Sequence, residues 1–520
     1  MPQNCPVPRR LFIGGALGVA AASALPPFAL RAAENGDLTV GVPDNLVGLD
    51  PADINDNLSF SGCGLMFQGL FGFDKDMKLI PVLAESYQAN EAATEFTFKL
   101  RTGVSFHDGT PFNAEAVKIN LDRISNPANH LKRNSLFSMV DHTDAVDDST
   151  ARIVLKTPFG AFVPTMAHPA AMMLSPKALQ QYGRDINRNP VGTGPFKFVS
   201  WSTDTLKVAR NDQYWKPGWP RLNSVTFRST PESGARIAML QTGEAQFIYP
   251  VPPELVRVVE RNPNLTLVNA PSIYVRYVAM NVTKKPFDDV RVRQALNYAT
   301  DKTAFARVVY SGYEDPLDSP LPPKLAFYQK QGEWPHDPER AKKLLAEAGV
   351  KAGLETEIWG FNNTTSQRGM QFMQQQFAAV GIKLTVTPLE AGLLTQRIWT
   401  VPGPEQSQLQ TYYGAWSSST GDADWGLRPL FWGQGFPPKL YNVGYFQDAD
   451  VDKDLEGGLS TADPVKRAQF YADAQKRIWN DAPWIFLGVD RNLYAHAKKL
   501  NGVYQMPAGG LFLNEGEYVA

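Results

Sequence analysis

The chain has 520 residues but only two cysteines and six histidines. Cys5 lies before the first apolar stretch and Cys63 well after it, so a chain that loses its N-terminus keeps one thiol. That excludes an intrachain disulfide and any multi-cysteine metal site. The histidines have no metal-ligand spacing of the H-E-x-x-H kind, and the glycine run from Val191 to Phe196 lacks the lysine and hydroxyl residue of a phosphate loop. A charge imbalance is also missing. With 51 basic and 52 acidic side chains, nothing marks the chain for nucleic acid or for an anionic surface. After the N-terminus there is no apolar run of membrane-spanning length, and there are no repeats or low-complexity tracts. These absences leave a soluble globular protein with no visible catalytic constellation and no cofactor motif.

What is present begins with an export signal. Arg9 and Arg10 form a basic patch, an apolar stretch follows from Leu11 to about Leu25, and small residues come after it. The paired arginines before Leu11 resemble a twin-arginine signal, with an ordinary secretory signal as the alternative. Ala22-Ser23-Ala24 is an A-x-A cleavage candidate, while Ala29, Ala32 and Ala33 offer later sites, so residues 1–33 are set aside as signal peptide. No cysteine stands just after the apolar stretch to carry a lipid anchor, which predicts a soluble periplasmic protein. About 490 residues then remain, more than one hydrophobic core usually serves, and two or more lobes are expected.

Local patterns predict mixed strands and helices. Asp37–Val42 and Thr94–Leu100 alternate as half-buried strands do. Two helices announce themselves by an aspartate cap followed by proline, at Asp337-Pro338 and at Asp463-Pro464. The first puts Ala341, Leu344, Leu345 and Ala348 on one stripe before stopping at Gly349, and the second puts Ala468, Tyr471, Ala474 and Ile478 inside. The segment Arg101–Arg123 predicts a strand, a turn at Asp108-Gly109 and a helix capped near Asn113.

That segment, with Pro190–Phe198 ("PVGTGPFKF"), Met239–Phe247 ("MLQTGEAQF") and Lys284–Lys302, resembles solute-binding family 5 in family order over about residues 36–515. These are extracytoplasmic receptors of peptide, nickel and glutathione importers. Leu70–Tyr87, Asn126–Arg133, Ser272–Phe287 and Trp416–Phe431 are most similar to the glutathione-receptor branch. The resemblance implies an α/β fold of two lobes joined by a hinge, with an extra subdomain in the first lobe. It places the first lobe at residues 34–272 plus 488–520, the subdomain at about 76–199, and the second lobe at 273–487, with crossings near Pro271–Met280 and Ile485–Asp490. It further implies a monomer that captures a small peptide and delivers it to an ABC permease in the inner membrane. Dipeptides or oligopeptides, opines and nickel chelates are the alternative ligands, and a periplasmic hydrolase is the alternative class.

Glutathione carries two carboxylates and one ammonium, so its site needs cationic forks, an acceptor and apolar walls. Arg276, in the first crossing, is a candidate fork for a carboxylate, or else half of a hinge ion pair. The peptide-binding relatives place an aspartate for the α-ammonium in the loop after Trp416, and that position falls here on Ser419. Ser418, Ser419 and Thr420 are therefore candidate hydroxyl donors to a carboxylate, and Asp422 or Asp424 candidate acceptors for a displaced ammonium, with a simple hydrogen-bonded turn as the alternative. Trp416 and Trp425 either wall the pocket or belong to the core. Asn55 and Asn57 follow the first strand toward the gap, Asn57 alternatively capping a helix. Arg133 is a candidate for the second carboxylate, or part of a solvated charge cluster with Lys132.

Overall fold

A computed structural model describes residues 36–518, and the expectations about the signal and its cleavage concern residues outside that range. One mixed sheet of 11 strands runs through the protein. At its centre the two longest strands, Leu265–Met280 and Trp484–Ala497, pair antiparallel along nearly their whole length. On one side of this pair lie, in order, Phe247–Ile248, Asp37–Val42, Ser224–Ser229, Thr205–Arg210 and Phe196–Trp201. On the other lie Thr411–Ser417, Leu354–Phe361 and Ile382–Leu389, and the short strand Glu314–Pro316 pairs with Trp484–Ala497 outside this order. The two halves are the two lobes. The register of the central pair breaks between Pro271 and Val275 and again between Arg276 and Tyr277, so the strands bend where they pass from one lobe to the other.

Parallel neighbours need a crossover, and the helices supply it. Thr364–Ala379 links the parallel strands Leu354–Phe361 and Ile382–Leu389, and Ser233–Thr242 links Ser224–Ser229 to Phe247–Ile248. A separate antiparallel sheet, ordered Ala84–Ala89, Glu95–Leu100, Thr150–Leu155 and Val140–Asp147, packs with helix Ala114–Ser125 and shares its core with the first lobe.

The local sequence rules operate as expected at the caps. Asn113 accepts from the Ala116 amide, Asp337 from Arg340 and Asp463 from Val465, each at the start of its helix. In the helix Pro464–Asp481 the buried residues are Arg467, Tyr471, Ala474, Gln475, Ile478 and Trp479, while Ala468 is only half-buried. An arginine goes inside there because Asp422 waits for it. Gly192 and Gly194 are required by proximity: a Cβ at either would stand 2.1 or 2.6 Å from the backbone of Met66 or Leu65, and the Gly194 amide donates to the Met66 carbonyl at 2.9 Å.

The lobes touch. The hairpin formed by Phe71–Phe73 and Leu79–Pro81 leaves the first lobe and buries Met77, 5% exposed, in the hydrophobic cluster of the second beside Leu321 and Leu325. Asp76 joins Lys324 across the gap at 2.7 Å, and Lys324 and Lys75 hold its carboxyl down at about 2. The Gly160 amide donates to the Leu459 carbonyl at 2.7 Å. Truncating a buried Met costs about 2–5 kcal/mol, and at a tip wedged between lobes the loss falls on the closed arrangement. Met77→Ala is therefore expected to enlarge the radius of gyration of the unliganded protein in small-angle scattering. An unchanged radius would mean that the hairpin does not hold the lobes together.

Candidate functional site

In open α/β sheets ligands gather beyond the carboxyl ends of the parallel strands. Two such ends face each other here. Asp37–Val42 feeds a loop into helix Asn57–Met66, and Thr411–Ser417 feeds the loop that starts helix Ala423–Phe431. Between them lies a cavity of about 330 Å³ whose polar lining includes Asn57, Arg133, His168, Ser417 and Ser419. Phe60, Phe73 and Met77 supply apolar wall.

Arg133 is the cation of this group. Its Nε donates to the Ile54 carbonyl at 2.9 Å and its guanidinium carbon lies 5.4 Å from the centroid of the Phe60 ring. Its terminal nitrogens make no hydrogen bond to another described residue. Burial works against its charge, while Tyr441 and Asp56 support it. Asp56 caps the helix, accepting from the Ser59 amide at 2.8 Å through one carboxylate oxygen, and its other oxygen is buried without a partner. The cap is therefore Asp56 and not Asn57, which is the first helical residue and donates to the Ala508 carbonyl at 3.0 Å. Asn55 is exposed and does not line the cavity.

His168 stands edge-on to Phe60, ring centroids 5.5 Å apart. Burial first, and the charge of Arg133 second, bring its pKa down to about 3. Its Nδ1 accepts from the Ala170 amide at 3.0 Å, so the ring is neutral with its proton on Nε2. A second cation on the rim, Lys216, is paired with Glu515.

The loop after Trp416 divides its residues. Ser419 and Ser417 reach the cavity. Ser418 is buried and donates to the Asp422 carbonyl at 2.7 Å, closing the turn. Thr420 is buried with its hydroxyl unpartnered. Asp422 and Asp424, expected as ammonium acceptors, are instead bound to arginines. Asp422 takes Arg467 at 2.7 and 3.0 Å and Asp424 takes Arg428 at 2.7 and 2.8 Å, and both acids are 1% exposed. Buried carboxylates need such partners, and these two leave no room for a ligand's ammonium.

Arg276 lies outside the cavity lining. Its guanidinium forks onto Asp490 at 2.9 and 2.6 Å, joining the two central strands, which is the hinge ion pair held open above. Tyr274 and Tyr310 flank it at 5.2 and 5.5 Å, and the neighbouring Glu314 has both carboxyl oxygens buried without partners. Burial, then Asp490, push the Glu314 pKa well up. Trp416 borders a second cavity of about 210 Å³ with Phe361, Trp399 and Tyr441. Its Nε1 donates to the Trp425 carbonyl at 2.8 Å, and Trp425 packs against the core of the first lobe. Of the expected residues, Asn57, Arg133 and Ser419 come together. His168, which also lines the cavity, was missed. His168 carries no local signal in the sequence. Among the described residues no cluster of His, Cys, Asp and Glu is placed to hold a metal ion, and no helix is long and apolar enough to cross a membrane.

Residues 78–437 match the family model for bacterial extracellular solute-binding proteins, family 5. The chain belongs to this family. Among family 5 relatives, the glutathione-binding protein GsiB of Pectobacterium atrosepticum is 50% identical over 475 residues, covering 91% of this chain and 92% of that one. GsiB of Escherichia coli K12 is 46% identical over 485 residues, covering 92% and 94%. Among solved structures, HbpA2 from Haemophilus parasuis matches with a TM-score of 0.84 at 26% identity, over 93% of this chain and all of that one.

The two lowered imidazole pKa values predict acid sensitivity for this family 5 protein. His168 is held at about 3, and His107, half-buried and donating to the Gly194 carbonyl at 2.9 Å, at about 4, against an ordinary 6.5. The unfolded chain binds more protons between those values, so the stability is complete above about 6.5 and is lost as the pH falls through the window. The melting temperature is expected to drop between about pH 6.5 and 4. His168→Asn, whose amide oxygen can take the Ala170 amide, should shrink the drop, and an equal drop would remove His168 as its source.

Proposed function

We propose that this protein is the substrate-binding component of an ABC importer, a monomer that acts in the periplasm after loss of residues 1–33. It traps glutathione, or a related γ-glutamyl or short peptide, between its lobes and hands it to a membrane permease. The lobes are taken as residues 34–272 plus 488–520 and 273–487, with the extra subdomain at about 76–199. The observation that carries the reading is the 50% identity to a glutathione-binding protein across 92% of that protein's length. The chemistry of the cavity supports it.

Arg133 is assigned one ligand carboxylate, since a guanidinium with unused terminal nitrogens offers a bidentate fork. The hydroxyls of Ser417 and Ser419 are assigned the other. Asn57 and the apolar faces of Phe60, Phe73 and Met77 complete the enclosure. Because Ser417 and Ser419 come from one lobe and Arg133 from the other, a ligand that touches both shifts the population toward the closed state. The ion pair of Arg276 and Asp490 is assigned to bracing the hinge.

Calorimetry with glutathione tests the proposal. A micromolar Kd, about 8 kcal/mol, is expected with one site per chain. Consumption of glutathione on long incubation would instead favour an enzyme. Arg133→Ala should lose about 2 kcal/mol, roughly thirtyfold in affinity, because charge-assisted hydrogen bonds contribute about 1.5–3 kcal/mol. Arg276→Ala should lower the melting temperature of the unliganded protein while affinity changes less. Equal affinity in the Arg133 variant and the parent protein would remove Arg133 from the site.

A further inference from the structure

The same cavity continues along an aromatic wall that the assignments above leave unused. Tyr214, Trp215 and Trp219 stand on one loop and Phe512 on a C-terminal hairpin, all half-buried and all lining the cavity. Gln68 anchors this wall from inside the protein. Buried itself, it donates through Nε2 to the Tyr214 hydroxyl at 2.8 Å and accepts through Oε1 from the Trp215 indole at 2.8 Å and from the Thr193 hydroxyl at 3.3 Å. The polar atoms of Tyr214 and Trp215 are thus satisfied by the protein, and Arg101 and Arg221 lie over the Trp215 and Trp219 rings at 4.5 and 4.8 Å, so what remains for a ligand is the ring surface these cations leave uncovered, held in fixed orientation.

Glutathione has nothing to place against such a wall. Its termini are charged, its peptide groups are polar, and its thiol is the one uncharged side-chain end. The thiol is also the atom through which the tripeptide is alkylated or arylated. A substituent there would leave both carboxylates free for Arg133 and the serines, and would bring apolar surface to an apolar surface that is otherwise wet.

We propose that the protein takes S-substituted glutathione, thioethers whose sulfur carries an alkyl or aryl group, with that group lying against Trp215, Trp219 and Phe512. The inference rests on the glutathione reading of the polar end of the cavity. No bond is made or broken, and the selectivity comes from apolar area removed from water, which grows with the size of the substituent.

The test is titration calorimetry with glutathione, S-methylglutathione and S-hexylglutathione on the full mature chain. S-hexylglutathione is expected to bind at least tenfold more tightly than glutathione, with S-methylglutathione between them. In Trp219→Ala and Phe512→Ala the ratio of the two affinities should fall toward one, and a ratio is insensitive to a general loss of stability. Tighter or equal binding of glutathione relative to the hexyl thioether overturns this inference and leaves the glutathione reading intact. Failure of all three ligands overturns both. A tenfold preference that survives in both variants overturns the placement on this wall.

Discussion

Everything in this protein hangs on one antiparallel pair. Leu265–Met280 and Trp484–Ala497 hydrogen-bond to each other through both lobes, so the chain crosses twice at a single place and the lobes stay tethered however they move. The pairing is continuous in space but not in register: it slips on either side of Val275 and Arg276, and a bulged ribbon bends more readily than a regular one. Arg276 and Asp490 sit at this bend and clamp one strand to the other. Taking two charges partly out of water is costly unless they are well paired, and the forked geometry meets that condition. The neighbouring Glu314, buried without a partner, survives there because burial and Asp490 favour its neutral form.

The same logic of pairing decides what the cavity can offer. The loop from Ser418 to Asp424 is rich in polar atoms, yet most are consumed in holding the loop itself. Asp422 is tied to Arg467 on a distant helix, Asp424 to Arg428 one turn along its own helix, and Ser418 to the carbonyl of Asp422. Gly421, at φ +68°, lets the loop turn against Phe73, whose ring would stand 2.6 Å from any Cβ there. The loop is thereby fixed from both lobes, and Ser419 is presented on it while its neighbours are turned inward. Opposite, Arg133 is tethered through Nε only, which positions the guanidinium without using it up.

Much of the scaffold was legible in the sequence because it is local. A capping side chain reaches two or three residues, an amphipathic stripe repeats every turn, and a strand alternates. Asn113, Asp337 and Asp463 accordingly cap the helices expected of them. Where a local rule failed, a distant residue had intervened: Arg467 lies inside its helix, with Ala468 less buried, because a carboxylate 45 positions earlier accepts it. Asp56 rather than Asn57 caps its helix, a choice between neighbours that the pattern alone leaves open.

By itself, then, the sequence determined the kind of protein this is, since the family motifs in their order specify two lobes on a shared sheet and periodicity specifies the elements that build them. It determined which side chains are candidates for recognising a charged peptide. Which of them line the cavity between the lobes was decided only by tertiary structure. An arginine reads the same in a string whether it meets a ligand or a carboxylate, and the carboxylate that Arg276 meets lies 214 residues away. The physical reason is that a buried charge must be matched where it stands, and only the fold brings the matching charge, or leaves the place for a ligand to bring it.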